Sequence, residues 1–411
     1  MRRSILLATT AGLALTLAAC GGDATTDETT SAAPEETGTS APAAAGTLTV
    51  WVDETRIDAF NNLSEEFVAE TGVSLDVVQK PSGDIRPDFV AQAPTGEGPD
   101  LVVGAHDWVG EFVANGVVQP VELGDKMGDF TEAAVNGFMY DGQLYGVPYS
   151  IENIALVRNN ALATETPATF DELIAAKPAE AEYPILIQQG DAGDAYHLYP
   201  IQTSFGAPVF NTDDTGSYTS EIGMGGDAGA AFANYLVTMA DAGAVNASIG
   251  GDQAKQAFLD GKSPYIITGP WWTGDFVDAG LDISVLPVPS AGGEPSAPFV
   301  GVQGIYLSSQ SENALLANQF LDWVATPDVQ FKLYEFAGRT PAMTEAADQV
   351  DDEILAGFGE AGAQGLPMPA IPEMGSVWSF WGQTQINIIN GDVDDPAAAW
   401  NTMIENIEAA F

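Results

Sequence analysis

From residue 47 onward, short apolar runs alternate with segments of helical period. Thr47-Leu48-Thr49-Val50-Trp51-Val52 reads as a strand, and Asp53-Glu54-Thr55-Arg56 follows it as a loop. Phe60, Leu63, Phe67 and Val68 then recur at helical spacing, and Gly72 closes that helix. Residues 73–78 alternate like a second strand, 88–93 form a short helix, Gly96-Glu97-Gly98-Pro99 is a loop, and 100–103 is a strand of the fully buried type. A helix carrying Val109, Phe112 and Val113 stops at Gly116. Further on, 225–243 is helical with Phe232, Tyr235 and Leu236 on one side, and 265–268 is a strand running into Gly269-Pro270-Trp271-Trp272. The stretches 312–324 and 398–411 are helical, and no internal repeat is present. Alternation of this kind predicts α/β lobes with largely parallel sheets flanked by helices. Ligands of such sheets lie beyond the carboxyl ends of the strands, where Asp53, Arg56 and Asp107 fall.

The first 46 residues follow a different pattern. Arg2 and Arg3 precede an apolar run over 5–19, too short for a stable transmembrane helix. Leu17-Ala18-Ala19-Cys20 closes it and resembles the lipobox of bacterial lipoproteins. Cleavage at 1–19 and lipidation of Cys20 are therefore expected, with the chain held outside the cytoplasmic membrane by the lipid alone. Residues 21–46 contain no large apolar side chain and cannot offset chain entropy by burial, so they read as a flexible tether. What remains, 47–411, is longer than one compact core usually holds and predicts two lobes.

Charge and cysteine use remove several function classes. The chain carries 12 basic and 58 acidic residues among 411, a formal charge of −46. Such a surface repels nucleic acid and anionic lipid and argues against an anionic ligand. Cys20 is the one cysteine, so the fold has no disulfide or thiol chemistry. His106 and His197 are the only histidines, which excludes a multi-histidine zinc site; no cofactor is expected.

Motif tests are mostly negative. Gly261-Lys262-Ser263 lacks the upstream glycine of a phosphate loop, since Gln256 stands there. Gly223-Met224-Gly225-Gly226-Asp227 is better read as a helix cap at Asp227 than as a dinucleotide loop. Residues 211–222 begin like a calcium loop, but Ile222 occupies the place of the bidentate glutamate, and a hairpin turn at 213–216 fits better. No Gly-x-Ser-x-Gly elbow occurs. A surface glycoside hydrolase stays open as an alternative, because it needs only a carboxylate pair and acids are abundant here. Aromatics are more telling. Trp271, Trp272, Trp378 and Trp381 cluster in Gly/Pro-rich contexts. Tryptophan covers the apolar face of a sugar while carboxylates and arginine hold its hydroxyl rim. Trp51, Trp323 and Trp400 read as core.

Several segments carry a resemblance. Gly96-Glu97-Gly98-Pro99-Asp100 followed by Ala105-His106-Asp107, together with Thr268-Gly269-Pro270-Trp271, Pro298-Phe299-Val300-Gly301-Val302 and the run 368–374 leading to Trp378, resembles the family-1 extracellular solute-binding proteins, in particular their maltose- and maltodextrin-binding branch. The resemblance covers nearly all of 47–411. It implies a type II periplasmic-binding-protein-like fold: an N-terminal lobe of 47–150 plus 290–340, a C-terminal lobe of 151–289 plus 341–411, each a mainly parallel sheet flanked by helices, and three hinge crossings near 150–152, 286–290 and 339–344. It implies a monomeric, non-enzymatic receptor that closes on a neutral maltodextrin-type oligosaccharide, or another oligosaccharide, and delivers it to an ATP-driven membrane permease. Position by position, it assigns Asp53 and Arg56 to the polar rim, Asp107 to sugar hydroxyls, Glu152 to the hinge side, Asp194 and Tyr196 to an acid–aromatic pair, and Trp271 and Trp378 to stacking rings. The sequence departs from the family at Gly104, where a stacking tryptophan is expected, and at Thr55, Trp108 and Gly382. Trp108 and Trp381 are expected to restore the lost aromatic surface.

Overall fold

A computed structural model describes residues 46–214 and 216–411 of the protein. The expected signal segment, the lipidated Cys20 and the tether up to residue 45 lie outside the described residues. The strand Gly46–Val52 runs into the helix Ile57–Thr71, whose Phe60, Leu63 and Phe67 are buried. Val68, expected on the same face, sits about 100° round the helix from Phe67 and is 38% exposed. Gly72 ends the helix at φ 75°, a left-handed conformation that glycine adopts without penalty.

The larger sheet has the order Thr340–Pro341, Gly146–Asn153, Phe299–Ser308, Leu101–Ala105, Gly46–Val52, Val73–Gln79. Gly46–Val52 is parallel to both its neighbours, with Leu48 opposite Leu75 and Val50 opposite Leu101. Phe299–Ser308 is antiparallel to the strands on either side of it. The smaller sheet, Ile283–Leu286, Ala155–Asn159, Tyr265–Thr268, Leu186–Ile187, has two antiparallel ladders and one parallel one. The α/β architecture is as expected, but the sheets are mixed rather than mainly parallel. Phe299–Ser308 enters the larger sheet from the second core and runs against its βαβ strands, whereas Gly146–Asn153, antiparallel to Phe299–Ser308, runs with them.

Two apolar regions result. One gathers Leu48 to Tyr149 with Val302 to Ala346. The other lies on both faces of the smaller sheet, with Leu156 on one side and Ala155 and Val157 on the other, and gathers segments between Ile154 and Phe299 and between Leu355 and Ile407. The chain changes over between 149 and 154, between 299 and 302, and between 346 and 355. The second and third changeovers come roughly ten residues later than the sequence suggests. Residues just before Phe299 remain with the second core, because Phe299 itself stacks on Tyr199 at 3.7 Å.

Two local expectations are settled here. Strands Phe210–Thr212 and Tyr218–Ile222 form the anticipated antiparallel hairpin. Asp227 lies in the first turn of the helix Gly226–Asp241, whose N-cap is Gly225 and has no side-chain cap.

Candidate functional site

One wall of the candidate site starts where Gly46–Val52 ends. Asp53 Oδ1 accepts from the Thr55 amide (2.9 Å) and hydroxyl (2.8 Å), which folds the loop back on itself. Arg56 Nη1 pairs with Asp53 Oδ2, its Nε donates to the Tyr149 hydroxyl at 2.7 Å, and its Nη2 donates to Glu152 Oε1 at 3.2 Å. Asp53, Arg56 and Glu152 are each under a tenth exposed. Burial alone would raise the Asp53 carboxyl, but Arg56, Arg339 and the Thr55 bonds outweigh it and hold the group below its usual range. Glu152, which the resemblance assigns to the hinge side, has both oxygens occupied, by Arg56 and Gln303 on Oε1 and by Arg339 on Oε2. It is the hub of a buried ion network.

Asp107 sits in the turn His106–Trp108, immediately after the strand Leu101–Ala105. Its Oδ2 accepts from Trp378 Nε1 at 3.3 Å, while Oδ1 is buried without a partner. Burial is the main reason its carboxyl is pushed up to about 6, against the pull of Arg86 and the Trp378 indole. His106 Nδ1 accepts from the Val302 amide at 3.0 Å, so Nε2 carries the proton and donates to the Met368 carbonyl at 3.0 Å. Burial lowers this imidazole to about 4. Trp108 is half-buried, edge-on to Phe112 at 5.7 Å, and its ring lies against Gly104 where a side chain at 104 would otherwise project. It therefore fills the space left by the missing aromatic at 104, but as part of the first core.

The opposite wall is aromatic. Trp271 follows the strand Tyr265–Thr268 in the turn Pro270–Trp272, with its ring over Gly269, where a Cβ would collide with it. His197 meets it edge-on at 6.0 Å. Tyr196, in the helix Ala195–Thr203, stacks over Phe299 at 6.3 Å and 20°. Burial, then Glu152, Asp194 and Asp107, raise its hydroxyl well above the ordinary value, so it sits within the field of acids from both walls. Trp378, in the helix Met374–Ile389, is half-buried and stacks on Trp381 at 5.5 Å and 26°.

The structure also locates Trp381 and Asp194. Trp381 is 0% exposed and donates its indole N–H to Gln202 at 3.0 Å, so it backs Trp378 from within the core and does not line the crevice. Three residues past Trp378 on the same helix, it has turned inward. Asp194 caps the helix Ala195–Thr203 by accepting from the His197 amide at 2.9 Å, and it also receives Gln188 Nε2 at 2.6 Å and His197 Nδ1 at 2.9 Å. Its carboxylate serves the local structure.

Arg339 and Gln303 escaped the sequence reading. One signal for Arg339 was available: a basic residue in a chain with very few, beside an expected hinge crossing. Trp51 and Trp400 are buried as expected, and Trp323 is half-buried with its indole on Glu70. Among the described residues, no cluster of three or more His, Cys, Asp or Glu could hold a metal. Of Asp53, Asp107, Glu152 and Asp194, only Asp107 keeps a buried oxygen without a partner.

The chain is similar to known proteins along most of its length. A sequence profile described as "Bacterial extracellular solute-binding protein" matches residues 62–356. The chain is 30% identical to the maltotriose-binding protein of Pyrococcus abyssi over 81% of its own length and 75% of that protein's. It is 26% identical to a maltooligosaccharide ABC transporter solute-binding lipoprotein of Streptococcus pneumoniae, over 97% and 95% of the two chains. The structure superposes on the Thermus thermophilus maltotriose-binding protein bound with maltotriose at a TM-score of 0.81 and 30% identity, covering 88% of this chain and 99% of that one.

Proposed function

Because this chain belongs to the bacterial extracellular solute-binding proteins, we propose that its crevice captures malto-oligosaccharides for import. It is the substrate-binding component of a sugar importer and not an enzyme. The observation that carries the choice of ligand is the meeting of Asp107 and Trp378. A buried carboxylate with one unpartnered oxygen, from the first core, touches a half-buried indole from the second. A sugar ring suits such a pair, since a hydroxyl fills the open acceptor and the apolar face covers the ring. Trp271 and Tyr196 extend the aromatic surface, and Arg56 and Asp53 supply the polar rim. The two lobes close on the sugar by bending at the three changeover segments, because neither wall alone surrounds it. Cleavage before Cys20 and lipidation there hold the receptor at the membrane beside an ABC permease, where it works as a monomer.

A thermal-shift and calorimetric screen on the full chain tests this reading. The panel is maltose, maltotriose, maltotetraose, galacto-oligosaccharides and chitobiose, with product analysis after incubation. A malto-oligosaccharide at about 100 times its Kd adds about 2.7 kcal/mol of stability. The sugar is expected back intact. Shortening of the sugar, or stabilisation only by a different oligosaccharide, overturns the assignment.

A further inference from the structure

The Glu152 carboxylate collects donors from stretches far apart in the chain. Oε1 receives Gln303 Nε2 at 2.7 Å and Arg56 Nη2 at 3.2 Å, and Oε2 receives Arg339 Nε at 2.8 Å. Arg339 then reaches on to the loop that bears Arg56: its Nη2 donates to the Thr55 hydroxyl at 2.8 Å and lies 3.5 Å from the Thr55 carbonyl. It is 2% exposed. Gly338, left-handed at φ 62°, ends the helix Pro327–Ala337 just before it. Beyond Arg339 the short strand Thr340–Pro341 pairs with Gly146–Asn153, the strand that carries Glu152.

The charges explain why both arginines are needed. Asp53 and Glu152 balance Arg56 and Arg339, all four under a tenth exposed. Without Arg339, Glu152 Oε2 loses its donor, and Arg56, which already bridges Asp53 and Glu152, is left as the one guanidinium for two buried carboxylates. Thr55 also loses the tie that links its side chain to the body of the lobe. Lysine cannot replace the arginine, because a single ammonium cannot bond Glu152 and Thr55 in the same fork.

We propose that Arg339 is a positioning residue for sugar capture: acting through Glu152 and Thr55, it holds the loop 53–56 in the arrangement in which Arg56 meets the ligand. The assignment rests on the sugar-receptor reading of the crevice. The test is Arg339→Lys in the full chain, which keeps the charge and avoids stranding Glu152, followed by two measurements. The first needs no ligand. Hydrogen exchange at the Thr55 and Arg56 amides, bonded to Asp53 Oδ1 and to the Asp53 carbonyl, is expected to rise about tenfold or more. Amides of the helix Gly226–Asp241 serve as the unchanged control. The second is maltotriose affinity, expected to fall about tenfold, the scale of one charge-assisted hydrogen bond. Combining Arg339→Lys with Arg56→Ala is expected to add nothing to the loss from Arg56→Ala alone, whereas its combination with Trp271→Ala is additive. Unchanged exchange in the loop overturns the inference whether or not sugar binds, and so does full additivity with Arg56→Ala. A parent chain that binds no sugar, together with a loosened loop in the variant, refutes the ligand and leaves the positioning intact.

Discussion

The two walls of the crevice are built on opposite plans. The wall of the first lobe is charged and saturated: Asp53, Arg56, Glu152 and Arg339 bond one another, and nearly every donor and acceptor is taken. The wall of the second lobe is made of rings, Trp271, Tyr196 and Trp378, held by packing on Phe299, Trp381 and Gly269. The first is rigid because each charge needs the others in low dielectric. In the second, the rings share packing partners such as Phe299, but truncating a half-buried one leaves no charge buried without a counter-ion. Truncating Glu152, the hub of the first wall, should therefore act mainly through stability, and truncating a ring of the second mainly through affinity.

The largest effect is expected at Glu152. Glu152→Ala leaves Arg56 and Arg339 buried with one carboxylate between them and should cost about 3–5 kcal/mol of folding stability, read by urea denaturation. A loss below about 1 kcal/mol would dissolve the contrast between the walls. Trp271→Ala comes next. Its cost, about 2 kcal/mol or more, should appear in the binding enthalpy titration, with the urea midpoint nearly unmoved. Unchanged affinity in a normally folded variant removes Trp271 from the crevice.

Asp107→Asn is expected to weaken sugar binding by about 1.5 kcal/mol, because Asn retains an acceptor for the Trp378 indole but loses the charge. It also sharpens the comparison through pH. Buried His106 has a folded value of about 4 against 6.5 unfolded, so its contribution to stability is whole above pH 6.5 and is lost as pH falls toward 4. Asp107 has about 6 against 3.8, so its contribution is whole below pH 3.8 and is lost as pH rises toward 6. The two neighbours oppose each other between pH 4 and 6. Without the Asp107 titration, the melting temperature should fall more steeply on acidification from 6.5 to 4 than in the parent. A parallel pH profile contradicts this. The smallest effect belongs to Trp381→Phe: about 1 kcal/mol of stability, from leaving Gln202 Oε1 without a donor, and no change in affinity. A tenfold change in Kd would return Trp381 to the crevice.

The same division governs what the sequence made legible. Trp271 could be placed from local pattern, since a strand ending in Gly-Pro presents the next side chains at its carboxyl end. Asp107 could be placed in the same way, after the strand beginning at Leu101. The saturated wall could not. Arg339 is 187 residues from the Glu152 it binds, and nothing in the period or composition near 339 encodes that pairing. Trp381 falls inside the core for a related reason, and Asp194 carries a structural role the local pattern leaves open. A helix turns about 100° per residue, so whether a ring faces cleft or core three positions on depends on packing partners elsewhere. An aspartate one residue before a helix serves as its cap as readily as it serves a ligand. The antiparallel course of Phe299–Ser308 was hidden too, because strand direction is set by which end of the sheet the chain enters, not by alternation along the strand.

The position of that strand also bears on how the molecule is made. Phe299–Ser308 lies in the middle of the larger sheet, between Gly146–Asn153 and Leu101–Ala105. All four strands of the smaller sheet, by contrast, come from 155–286. As the chain leaves the ribosome, the smaller sheet has its full complement of strands while the first-formed half of the protein still waits for its centre. The early strands must stay unpaired on one edge until residue 308 arrives, a closure of high contact order that is intrinsically slow. A chain arrested near residue 290 should exchange faster at Leu101–Ala105 and Gly146–Asn153, which flank the missing centre, than at Gly46–Val52, which already has a partner on each side.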